Sequence, residues 1–404
     1  MSNKLVSVIP RHLDPRTSQD QEAVPAGMIA QPAQVTHPLP ATRERSKGPW
    51  GRLQYVPFFL EAPAHLLQRF PLPNPRPRWF VNASEAGQIM DRLSRCGLPQ
   101  DILQAINQPA NRAMTGDLLV LFPPAGGVLK LTPEVRAAIY RELSQFPANV
   151  DMVGPVLIPK GEFDSWFANT SLRPELISLI KQMSYQRGDA IAFSDTSVLM
   201  GYVTGEMEAK QMNSILSRTR ALMVKLTLDH SSKIKDIADY WSTGEARRSM
   251  PNHAPFLQSL LNANSGENLD VVHLLPPLPR KLLYTYPDLS SVADGEMPDC
   301  HWSSLNFFKS QQEPFFLDSR LASSAILERF QPVKSPYRFG DILVFVDQTV
   351  GNAFHSCVYI ADDVVFTKNG RNLLSPWVLQ SLAHVKMTYL YNNNGRIQGY
   401  RAKA

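Results

Sequence analysis

The chain has 404 residues, 44% hydrophobic, 19% charged and 9% aromatic, which is enough for two or three ordinary domains and excludes a wholly disordered protein. Proline is frequent, with 33 residues, and glycine scarce, with 21, which excludes collagen-like chains and glycine-rich linkers. The 41 basic residues exceed the 36 acidic ones by only five, and the short basic runs at 43–47 and 76–78 lie beside prolines rather than along one stripe, so no nucleic acid partner is expected.

Residues 1–49 carry seven prolines and no Phe, Trp or Tyr, a composition that cannot bury enough apolar surface to fold, and they are expected to form a disordered tail. From Trp50 aromatic and aliphatic clusters begin. Ser84 is placed to cap a helix that ends near Gly97, with Cys96 near its end as a small buried apolar residue. Residues 116–131 read as two short strands around a Pro/Gly turn. Thr132 and Pro133 then open a helix, with cap and first-turn proline in their preferred places.

The middle of the chain reads as mixed α/β: helices over 172–186, 204–220, 231–244 and 253–266, and a strand over 221–229. Residues 269–287 are apolar but broken by prolines, and His273 among them reads as a core or interface histidine. The chain is therefore divided into a tail (1–49), an α/β subdomain (50–150), a mostly helical α/β subdomain (151–290) and a C-terminal domain (291–404). No run of 18 apolar residues is long enough to span a bilayer, and the start lacks the apolar core of a signal peptide. That points to the cytoplasm, or to the cell envelope if the true start lies upstream.

Three cysteines, Cys96, Cys300 and Cys357, cannot form a disulfide framework, and their scarcity makes each a candidate for chemistry. Cys300 follows Pro298 and Asp299 and precedes an apolar-periodic run. With Asp299 as cap, Cys300 falls on the first turn of a helix, where the positive end of the helix dipole favours thiolate over thiol. Residues 339–347 then read as a strand, and 353–370 as a hairpin. In its first strand His355, Cys357 and Tyr359 alternate with Ser356, Val358 and Ile360. On the return strand Val365, Thr367 and Asn369 share a face, which brings Thr367 or Asn369 near His355 to orient its imidazole.

A nucleophile on a helix end, a histidine at a strand start and a polar residue on the next strand make up the thiol-hydrolase arrangement. Asp299-Cys300, Gly340-Asp341-Ile342 and His355 with Val358-Tyr359-Ile360 resemble the NlpC-like branch of the papain superfamily, including the CHAP amidases. The resemblance covers about residues 295–404, and the ending 387–401 looks like the family's closing strand. Cys300-His301-Trp302 stands where the family has Cys-Ser-Gly, and His355-Ser356-Cys357 where it has His-Val-Gly. The rest of the chain resembles uncharacterised bacterial proteins that end in such a domain.

The fold expected is α+β: a papain-like, small antiparallel sheet with a Cys-bearing helix, preceded by a mixed α/β region and the tail. The resemblance implies a cysteine peptidase or amidase acting on a peptide or amide substrate of cell-wall type, without cofactor or metal. Cys300 would be the nucleophile, His355 the base, and Thr367 or Asn369 the orienting group, while Asp299, Trp302 and Tyr359 would line the substrate site. His301 is also a candidate base, but neighbours on a helix point about 100° apart, which favours His355. A Cys300, His355 and Cys357 metal cluster lacks a metal-binding spacing, although Cys357 is placed for a disulfide with Cys300. The alternative function is a degenerate domain serving as a binding or scaffolding module of a large bacterial assembly. The same residues also suit acyl transfer.

Overall fold

A computed structural model describes residues 34–36, 43–44, 47–228, 233–250, 253–262, 268–288, 297–391 and 394–403. The protein is mixed α+β, with helices and antiparallel sheets throughout. Contacts divide the described chain into two units, one of residues 64–217 and one of the flanking residues up to 63 and from 218 onward. The boundaries thus fall at 63/64 and 217/218 rather than near 150 and 290. The reason is pairing distant in sequence: the strand before the first boundary runs antiparallel to the strand after the second.

In the flanking unit, β1 (Gln34–Thr36), β2 (Arg43–Glu44), β3 (Arg52–Glu61), β4 (Thr219–Thr227) and β5 (Asn268–Asp270) form one antiparallel sheet. Its order is β1-β3-β4-β5, with β2 also on β3. The two short strands belong to the stretch expected to be a tail, and they are held by main-chain pairing to β3, which needs no apolar side chains of its own. The other residues of 1–46 lie outside the described residues.

The second sheet holds β6 (Phe330–Val333), β7 (Ile342–Asp347), β8 (Ala353–Ala361), β9 (Val364–Lys368), β10 (Trp377–Ser381) and β11 (Gly395–Ala402). All pairs are antiparallel, in the order β6-β11-β7-β8-β9-β10. Helices α1 (Ile234–Trp241), α2 (Cys300–Leu305), α3 (Ser319–Arg329) and α4 (Leu382–Tyr389) accompany the sheets. Residues 387–389, expected to lead into the closing strand, end α4 instead; Ser381 caps this helix by accepting from His384 N at 3.0 Å, and the strand starts only at Gly395.

β8 is buried on both faces, which its near-continuous apolar run reflects. Val358 and Ile360 join the larger core with Trp302, Leu305, Phe366 and Leu379. Cys357 and Tyr359 point the other way, into a smaller core with Leu343, Phe345, Val365 and Val385. Each such fully buried aliphatic or aromatic side chain contributes about 1.5–3 kcal/mol. The turn into β7 demands glycine: Gly340 has φ +90°, and a Cβ there would lie 2.3 Å from Phe308 Cε2. Asp341 beside it is 1% exposed; it accepts from Arg338 N at 2.8 Å and from Arg401 Nε and Nη2 at 2.7 Å each, tying β7 to β11.

The unit of residues 64–217 holds two three-stranded antiparallel sheets. One orders Trp79–Asn82, Leu118–Leu121 and Arg112–Thr115; the other orders Val156–Pro159, Ala190–Phe193 and Tyr185–Arg187. Helix Pro133–Leu143 starts as its sequence predicts, Thr132 Oγ1 accepting from Val135 N at 3.3 Å. Its Arg136 is fully buried, paired with Asp195 and donating to Val128 O at 2.7 Å. Residues 116–131 give one strand, Leu118–Leu121, and a helix, Ala125–Leu129, instead of two strands. Pro123 and Pro124 precede the helix, and Gly127 faces Ile102 so closely that a Cβ would lie 2.9 Å from Ile102 Cγ1. Cys96 is half-buried rather than buried, and His273 is exposed, not in a core. Among the described residues no helix is long and apolar enough to cross a membrane.

Candidate active site

Asp299 sets the start of α2. Its Oδ1 accepts from Trp302 N at 2.9 Å, satisfying one of the donors that open a helix, and its carbonyl accepts the first intrahelical bond, from Ser303 N at 3.0 Å. Its Oδ2 accepts from Arg371 Nη2 at 3.3 Å. Cys300 is therefore the first helical residue, as the cap position predicts. Ser356 Oγ on β8 donates to Cys300 O at 3.2 Å and lies 3.0 Å from Ser304 Oγ, which fixes the helix start on the strand that carries His355.

His355 is fully buried and held on every side. Its Nε2 shares a hydrogen bond with Thr367 Oγ1 at 3.1 Å. Tyr389 of α4 stacks on its ring, with centroids 3.9 Å apart and planes 11° apart, while the Phe345 ring meets it edge-on at 5.3 Å. Nδ1 is buried with no aligned hydrogen-bond partner, and the imidazole acts on Cys300 chiefly through its charge. Catalytic pairs are often this loose before substrate binds.

The thiol feels both imidazoles. Burial alone pushes Cys300 up, but the charges of His301 and His355 outweigh it and bring the thiol down to about 5. Burial likewise works to lower His301, and the neighbouring Cys300 thiolate together with Asp299 raises it to about 9. At neutral pH this describes a thiolate beside an imidazolium. His301 thus reaches the same sulfur as His355, which the 100° argument discounted: two residues at a helix's opening turn diverge in direction, yet the sulfur at the first position lies within reach of the ring at the second.

The other candidates disperse. Asn369 follows β9 rather than lying within it, and its Nδ2 donates to Gln380 Oε1 at 3.3 Å, so Thr367 alone of the two meets His355. Trp302 is 3% exposed and packs near Trp377 with centroids 6.5 Å apart, within the larger core. Tyr359 belongs to the smaller core and donates to Asp362 O at 2.8 Å. Cys357 is fully buried; burial first and the Cys300 charge second raise its thiol, keeping it protonated. All three cysteines are free, and among the described residues no group of His, Cys, Asp and Glu is arranged to hold a metal ion.

Two residues went unmarked in the sequence. Tyr389 was hidden because residues 387–389 read as strand. Lys368, fully buried on β9, donates to Gly370 O at 2.8 Å and Asn372 O at 2.9 Å, with its ammonium 5.6 Å from the Trp377 ring centre. Burial lowers it to about 7 despite Asp299 and Cys300 nearby. It bonds the carbonyls on both sides of Arg371, the residue whose guanidinium reaches Asp299, and so holds the segment that braces the cap of α2. A lysine in an otherwise apolar strand was the available signal.

No protein-family model matches the chain, and neither a curated protein nor a solved structure matches it.

Proposed function

We propose that the C-terminal part of the chain is a papain-like thiol hydrolase of the NlpC-like branch, cleaving amide bonds through an acyl-enzyme at Cys300. The observation that carries this reading is the Cys300 thiol on the opening turn of α2, within the charge of His355, whose far nitrogen is bonded to Thr367. An antiparallel sheet with the cysteine helix against its central strand supports the same reading.

In this mechanism the thiolate attacks the amide carbonyl and an imidazolium delivers its proton to the leaving amine. Water then attacks the thioester, giving its proton to the imidazole, and the thiolate leaves. The backbone N–H of Cys300, among the first of its helix and so without an intrahelical partner, serves the oxyanion; one such donor contributes about 3–4 kcal/mol. Thr367 holds the His355 ring in its orientation. Acyl transfer to an amine instead of water uses the same groups.

The test is the pH dependence of Cys300 alkylation by iodoacetamide, with Cys96→Ser and Cys357→Ala in the background. A midpoint well below that of an ordinary thiol, about 8.5, which rises in His355→Ala, supports the reading. A midpoint in the ordinary range, unmoved by loss of either histidine, overturns it.

A second reading is a module that binds without catalysing, and one observation favours it: Cys300 is 3% exposed and His355 0%. A Cys300 that alkylates only when the protein is denatured favours this module.

A further inference from the structure

Thr367 is an economical orienting group. A hydroxyl carries no charge, so it cannot balance an imidazolium as a carboxylate does. The His355 ring nevertheless sits in one fixed plane, and the contacts on its two sides account for this. Tyr389 lies face to face with it at 3.9 Å and 11°. Phe345 closes from another direction at 5.3 Å. Helix α4 delivers Tyr389: Leu382 and Val385 bury in the smaller core, against which Tyr389, Phe354 and Leu390 pack. Phe354 and Phe345 in turn flank Tyr389 at 6.3 Å and 6.1 Å.

We infer that Tyr389 is a positioning residue of the catalytic pair, its ring face fixing the plane in which the His355 ring is presented to Cys300. The inference rests on the thiol-hydrolase reading of Cys300 and His355. Burial holds the Tyr389 hydroxyl well above its ordinary range, with the Cys300 and Cys357 charges acting in the same direction. It therefore remains a neutral phenol and takes no proton from the pair. The groups around His355 are Cys300 from α2, with His301 next to it in that helix, Cys357 on its own strand, Tyr389 from α4, and the uncharged Thr367 and Phe345. Among these, Tyr389 is the titratable group that stays neutral while lying on the imidazole face.

The experiment is the alkylation midpoint of Cys300 in a series at position 389, measured in the same cysteine background and with the fold checked by near-ultraviolet circular dichroism. Tyr389→Leu is expected to raise the midpoint by about one pH unit, and Tyr389→Phe and Tyr389→Trp to keep it near that of the parent. If the leucine variant does not fold, the phenylalanine and tryptophan variants carry the test: each keeps a flat face on the imidazole, so a midpoint raised in both overturns the inference. In His355→Ala the same replacements are expected to leave the midpoint unchanged, since the ring they act on is gone. Equal midpoints for leucine, phenylalanine and tyrosine, in a protein whose parent midpoint is low and does respond to His355→Ala, overturn the role of Tyr389 and leave the hydrolase reading standing. A parent midpoint indifferent to His355→Ala and to His301→Gln overturns the reading on which it rests.

Discussion

Two imidazoles share one sulfur, and separating them is the most informative perturbation. The thiol falls from 9.0 to about 5; that span of about four decades, at about 1.4 kcal/mol each, is about 5 kcal/mol in favour of the thiolate, net of the burial that opposes it. Coulombic influence decays slowly enough that both rings contribute, and an opposite charge within about 4–6 Å moves an ionisation by about 1–3 pH units. His301→Gln and His355→Gln are therefore each expected to raise the Cys300 midpoint by about 1–3 units. The double variant should bring it to the ordinary value or above, because burial then acts unopposed. Iodoacetamide rates across pH, read by mass spectrometry of the Cys300 peptide, give all four midpoints. A double variant that still titrates near 5 would refute the reasoning, since the two imidazoles are the groups whose charges outweigh the burial of this thiol.

The ion pair also has a signature in stability. The Cys300 contribution is complete above the unfolded thiol's 9.0 and is lost as pH falls to about 5, whereas that of His301 is complete below 6.5 and is lost as pH rises to about 9. From 6.5 to 9 the two changes oppose and stability should stay level; from 6.5 down to 5 only the thiol term falls, by about 2 kcal/mol, an effect expected in urea titrations of the parent and missing in Cys300→Ala. Gly340→Ala places a Cβ 2.3 Å from Phe308 at φ +90°, so a loss of about 2–4 kcal/mol is expected from strain and overpacking together, and an unchanged denaturation midpoint would contradict it. Arg401→Met leaves Asp341, 1% exposed, with the Arg338 N–H as its remaining partner; a cost of about 3–5 kcal/mol is expected, much of it recovered by Asp341→Asn in the same chain.

Local signals carried far where the chemistry was local. Asp299 before Cys300, and Thr132 with Pro133, announce helix starts because a short polar side chain and a first-turn proline serve few other purposes there. Alternation along β8 was readable for the same reason: His355, Cys357 and Tyr359 on one face follow from a period of two. Signals failed where a residue's meaning depended on a distant neighbour. Pro123, Pro124, Gly126 and Gly127 spell a turn, yet they start a helix because Gly127 fits against Ile102. Residues 387–389 carry β-branched and aromatic residues suited to a strand, but Ser381 caps a helix that runs through them. The long pairing of β3 with β4 joins segments far apart in the chain, which no window of sequence displays.

That pairing has a consequence for how the gene product can be cut and rejoined. Leu60 and Thr219 face each other across a ladder, with Glu61 and Arg218 bonded just beyond it. The departure and return points of residues 64–217 are therefore neighbours, separated by no more than the width of a hairpin. A tight turn of two residues is able to bridge such a gap. The polypeptide is laid out as a parenthesis: the unit that carries Cys300 and His355 is begun, set aside for the length of another folding unit, and resumed in register. Replacing 62–217 by an Asn-Gly turn would therefore join Glu61 to Arg218 next to the paired Leu60 and Thr219, closing a hairpin without altering the sequence of either large sheet.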